Sequence, residues 1–218
     1  MKIRWIRAIG LLAVFGISGC SESAPPAVNA PTPPANAATA TPVNTAGTLI
    51  VTDASGSAVW TLRLDGSHVE ITGPDGARIV GEQRGDKRRY RRESDGAALA
   101  EVKFSDSGFK LRTPDSELLW KVKIGDDKIK VSDNEENQNP WVLKTGYDDK
   151  AKVLDPSESE VGEVRFQGER IKIKDAAGDE RFLIDTTQRS AGFGVLLMAA
   201  IPEQQRGILM AEVLASGR

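Results

Sequence analysis

The run Arg84-Gly85-Asp86-Lys87-Arg88-Arg89-Tyr90-Arg91-Arg92 packs six cations into nine residues of a chain whose formal charge is only −2. Guanidinium forks grip carboxylates and phosphates through two parallel hydrogen bonds. Lys87, Arg88, Arg89, Arg91 and Arg92 are therefore the candidates for an anion site, with a lipid headgroup or a glycan as ligand. In an extended strand Lys87, Arg89 and Arg91 share one face while Arg88, Tyr90 and Arg92 share the other, so neither face is plainly apolar. The competing reading is a solvated hairpin whose cations pair with nearby Asp and Glu.

Other reactive residue types are sparse. Carboxylates cluster at Asp126-Asp127, Asp133 to Glu136, Asp148-Asp149 and Glu158 to Glu160, but the EF-hand order with its central glycine is absent. They read as solvated turns, no metal site is expected, and paired carboxylates alone do not define a hydrolase. His68 is the single histidine and Cys20 the single cysteine, which leaves no Cys/His zinc cluster and no internal disulfide. A glycine-rich phosphate loop, a Gly-x-Ser-x-Gly elbow and a His-Glu-x-x-His pair are also missing from the sequence. Neither catalysis nor a cofactor is expected. The nearly balanced charge disfavours a nucleic-acid partner.

Cys20 has a different chemistry. Lys2, Arg4 and Arg7 precede a nine-residue apolar stretch, Ile9 to Ile17, which is too short to span a bilayer and reads as a secretory leader over 1–19. The segment Ile17-Ser18-Gly19-Cys20 that follows resembles the lipobox of bacterial lipoproteins. That resemblance implies cleavage before Cys20, acylation of its thiol, and a membrane partner held through lipid rather than through a transmembrane helix. Ser21, rather than Asp, follows the cysteine, and by the same resemblance this favours the outer membrane, facing the periplasm. Loss of three leader cations leaves 26 Lys and Arg against 31 Asp and Glu, a mature charge of −5. Residues 21 to 47 hold six prolines and eight alanines with Glu22 as the only charge, so residues 20–47 form a tether rather than a core. Where it is polyproline-like, at about 3.1 Å per residue, it reaches roughly 80 Å.

The elements that position these residues lie at 48–188. Asp53, Asp75, Asp95, Asp115, Asp133, Asp155 and Asp175 recur at spacings of 22, 20, 20, 18, 22 and 20 among turn-forming residues. A second series of turns falls between them, beginning with Asp65-Gly66 and Arg84-Gly85-Asp86. The intervening segments alternate with period two, as in Trp120-Lys-Val-Lys-Ile124 and Ile171-Lys-Ile-Lys174, each a half-buried strand. About 12–14 short antiparallel strands in an up-and-down meander are expected, built on a hairpin repeat of about 20 residues. A sheet of that length closes into a barrel or curls strongly, and a propeller is the second choice. Trp60, Trp120 and Trp141 read as core or barrel wall.

From 189 to 218 the pattern changes. Ala191 to Ile201 carries no charge and reads as a wholly buried helix, and Ile208 to Ala215 reads as an amphipathic one, with Pro202 between them. A plug in the barrel is favoured over a membrane-inserting or partner-binding helix, because a dozen strands enclose more space than their own side chains fill. A long antiparallel meander ending in a hydrophobic helix resembles the tubby-like superfamily and its LURP-one-related branch, in architecture only. That likeness implies membrane association and identifies no lipid-binding residue. The combined reading is a non-catalytic binding module for lipid or another anionic envelope component, with a protein-interaction or scaffold role toward an envelope partner as the alternative.

Overall fold

The computed structural model describes residues 47–217; Cys20, the leader and most of the tether lie outside the described residues. Fourteen strands follow in chain order: β1 Thr48–Asp53, β2 Ala58–Asp65, β3 His68–Thr72, β4 Arg78–Arg84, β5 Lys87–Arg92, β6 Ala98–Ser105 and β7 Gly108–Arg112. The second half comprises β8 Leu118–Ile124, β9 Lys128–Ser132, β10 Trp141–Lys144, β11 Lys150–Leu154, β12 Glu160–Gln167, β13 Arg170–Asp175 and β14 Glu180–Asp185. Each strand pairs antiparallel with the next, and β1 pairs with β14, with Val51 opposite Ile184. The sheet is thus a closed barrel with no free edge.

Period-two alternation makes the wall. In β2, Trp60 and Leu62 are buried while Arg63 and Asp65 are exposed; in β7, Phe109 and Leu111 point inward between Lys110 and Arg112. At one end of the barrel the turns are held by side chains. Asp53 accepts from the N–H groups of Ser55 (2.8 Å) and Ser57 (3.0 Å), and Asp155 does the same for Ser157 (2.8 Å) and Ser159 (3.0 Å). Thr113 takes this role for Glu117. Next to these tips the pairing slips by a residue at Thr52, Arg91, Arg112, Leu154 and Lys174. Such bulges add local twist, and twist repeated round one rim is what an antiparallel sheet needs to close.

The C-terminal residues fill the lumen. A 3-10 turn, Ala191–Leu197, and a helix, α1 Glu203–Ala215, share one hydrophobic cluster with inward residues of every strand. The first segment differs from the expected helix because Gly192 and Gly194 must lie close to their neighbours. A Cβ on Gly194 would stand 2.8 Å from both Leu143 and Val153, and one on Gly192 would stand 2.8 Å from Val213. Two glycines in a short span also remove the propensity that would extend an α-helix. Helix α1 is not amphipathic as expected: Gly207 to Leu214 are all buried, including Glu212. No helix among the described residues is long and apolar enough to cross a membrane.

Candidate functional site

The basic run is split by the pleat of β5. Arg88 is buried at 2% exposure and Tyr90 at 1%, both pointing into the barrel, whereas Arg89 and Arg91 point out and Lys87 and Arg92 are partly exposed. Tyr90 fits because the residue opposite it on β4 is Gly81, where a Cβ would stand 2.5 Å from the tyrosine ring. Arg88 donates to Glu212 on α1 (2.7 Å), to the Gly66 carbonyl (2.7 Å) and to the Gln83 side-chain oxygen (2.9 Å). Tyr90 donates its hydroxyl to the other Glu212 oxygen at 2.6 Å. Burial pushes the Glu212 pKa up, partly offset by the Arg88 charge. Burial beside Glu212 likewise holds the Tyr90 phenol well above its ordinary value.

The outward cations have acidic partners. Lys87 and Arg89 meet on Glu101 (2.6 and 3.2 Å), Arg91 pairs with Glu82 (2.8 Å) and Arg92 with Asp95 (2.8 Å). The five candidates therefore do not converge: one is a core residue and four are spread over two outer pairs and a turn. His68 lies 3.2 Å from Glu70, half-exposed on the wall. Trp60 and Trp141 are buried, and Trp120 donates from its indole to Gln205 of α1 at 2.6 Å. Among the described residues no group of three or more His, Cys, Asp or Glu is placed to hold a metal.

A larger feature lies on the outer wall beside the run. Lysine stands directly opposite lysine at Lys87–Lys103, Lys103–Lys110, Lys110–Lys121, Lys123–Lys130, Lys128–Lys144 and Lys144–Lys152. These pairs cover every strand from β5 to β11. Like charges directly across a ladder are destabilising, so the wall carries a local cost, eased where Glu101, Asp127 and Glu160 meet Lys87, Lys128 and Lys152. Glu135 partly compensates by meeting Lys110 (2.7 Å), Arg112 (3.0 Å) and Lys121 (3.7 Å), and the Lys110 hydrogen bond leads in lowering its pKa. Lys103, Lys123, Lys130 and Lys144 form no ion pair among the described residues. Lys123 and Lys130, with Lys128 and Asn137, line a surface groove of about 340 Å³. Each strand's wet lysines were visible as alternation, but which lysine faces which depends on register between strands.

No protein-family model matches this chain, and no curated protein matches it significantly.

Proposed function

We propose that this chain is a lipid-anchored bacterial envelope protein, held through Cys20, whose barrel is a non-catalytic module for binding an anionic membrane surface. The observation that carries this reading is the wall of opposed lysines over β5 to β11, with Lys103, Lys123, Lys130 and Lys144 unpaired. An anionic surface relieves the repulsion between them, and each cation near such a surface contributes about 1 kcal/mol. The lipobox-like leader and the Pro/Ala tether support attachment at the outer membrane facing the periplasm, within reach of the same bilayer. The enclosed C-terminal helix supports the tubby-like outline as a likeness of architecture. A scaffold role is the weaker reading, because Tyr147 is the one large apolar side chain exposed among the described residues.

The test is co-sedimentation of the full-length protein with phosphatidylglycerol and with phosphatidylcholine liposomes. The quadruple Lys103, Lys123, Lys130, Lys144→Gln variant is expected to bind the anionic liposomes at least tenfold more weakly, with a reduced salt dependence. Arg89, Arg91 and Arg92→Gln, whose cations already have acids, is expected to do less. Unchanged binding of the lysine variant would overturn the reading.

A further inference from the structure

The mouth of the barrel opposite the Asp-held turns contains a cavity of about 410 Å³. Phe104, Phe109, Ile124 and Ala215 contribute its apolar lining, and the buried Arg88 and Glu212 lie at its base. The size is that of a small-molecule site, and the apolar lining is matched by a polar one to which Gln83, Ser105, Asp106 and Ser216 contribute.

The hydrogen bonding at the base is unbalanced. A guanidinium has five N–H groups, and Arg88 directs three of them to Glu212, Gly66 and Gln83. Its Nε is buried with no partner. The acceptors around it are already engaged: both Glu212 oxygens take a donor, from Arg88 and from Tyr90, and the Gln83 oxygen is held by Arg88. What is missing at the base is an acceptor. Arg88 is also fixed in orientation, its guanidinium carbon 5.5 Å from the centre of the Phe104 ring. Asp106, in the turn after β6, adds a negative charge to the lining. That charge opposes a multiply charged anion, so the ligand carries at most one negative charge.

We propose that this cavity binds a small monocarboxylate with an apolar body, its carboxylate accepting from Arg88 and its body lying against Phe104, Phe109 and Ile124. The site uses none of the unpaired wall lysines, so it stands or falls independently of membrane binding.

The experiment is titration calorimetry of the full-length protein with hexanoate and 3-phenylpropanoate, and with 3-phenylpropylamine and inorganic phosphate as comparisons. Arg88 is embedded in the core and its replacement endangers folding, so the decisive variant is Ala215→Trp. Ala215 is exposed at the end of α1 and lines the cavity, so an indole there fills the space without entering the core. Expected are dissociation constants below about 1 mM for at least one carboxylate, a loss of at least tenfold in A215W with an unchanged melting midpoint, and no change in the quadruple lysine variant. Neither carboxylate binding, equal binding of the amine, stronger binding of phosphate, or carboxylate binding unaffected in A215W would each overturn the proposal.

Discussion

At Glu212 two effects compete: burial favours the neutral acid, and the Arg88 charge 2.7 Å away favours the carboxylate. Burial prevails, and the folded pKa lies above the ordinary value of 4.5. The folded state then holds this proton more tightly than the unfolded chain does. The stabilising contribution is fully present below about pH 4.5 and is lost as pH rises through the folded pKa. Glu212→Gln is the corresponding permanently neutral side chain, able to accept from Arg88 and donate to the Tyr90 oxygen. It is expected to unfold in urea within about 1 kcal/mol of the wild type at pH 7, whereas Glu212→Ala, which strands both partners, costs roughly 3–5 kcal/mol. Across the window above pH 4.5 the wild type should lose stability relative to E212Q. A flat difference above pH 4.5, with the gain instead appearing as pH rises toward 4.5 from below, would show that Arg88 depresses the pKa. The sequence displayed Arg88 only as one cation among six, since alternation assigns it a face but not which face is interior. Its partner is 124 positions away, on a helix where a lone glutamate among apolar residues reads as solvent-facing. A buried ion pair between distant elements leaves no local pattern to read.

At the scale of elements, glycine decides how closely the C-terminal segments approach the wall. Gly207 is in the interior of α1, where Ala would be the better helix former by about 1 kcal/mol. Yet a Cβ there would stand 2.4 Å from the Trp60 ring and 3.2 Å from Ile71. Both are buried wall residues with little room to move, so overpacking outweighs propensity. Gly207→Ala is expected to destabilise by about 1–3 kcal/mol in thermal or urea unfolding. Trp60→Leu in the same chain should recover part of that loss by making room, and a G207A protein as stable as wild type would mean that α1 slides freely in the lumen. The apolar run Ala191 to Ile201 was legible as mostly buried, because a stretch without charge has few other places to go, but it is not wholly so: Ala199 and Ala200 are exposed. Its backbone was not legible: whether glycines interrupt a helix or permit close packing depends on Val213, Leu143 and Val153, which only the folded chain brings near. The wet lysines of β7, β8 and β9 were equally visible one strand at a time, but their opposition is a property of pairs of strands.

For the whole molecule, the antiparallel β meander with a C-terminal helix follows from two features visible in the sequence, period-two segments between turn signals and the uncharged run Ala191 to Ile201 near the C-terminus. Closure itself rests on long-range pairing, β1 with β14 across more than 130 residues, which no local signal specifies. A ring of fourteen strands also creates an interior that the strands cannot fill alone. Phe193, Val195, Met198, Leu209, Met210 and Val213 fill it, each essentially buried. At roughly 2 kcal/mol for each large apolar side chain buried, these six contribute an amount comparable to the whole net stability of an ordinary domain, about 5–15 kcal/mol. Removing residues 189–218 also uncovers the inward faces of the strands they touch. The truncated chain is therefore expected to keep a β-type far-ultraviolet spectrum while losing its sharp thermal transition and binding a hydrophobic dye such as ANS, the signature of a collapsed sheet without fixed packing. If it melted cooperatively within a few degrees of the intact protein and bound no dye, the barrel would hold its shape on wall pairing alone. The helix would then be free to leave the lumen, and the mouth cavity it helps to line would become a transient feature rather than a built one.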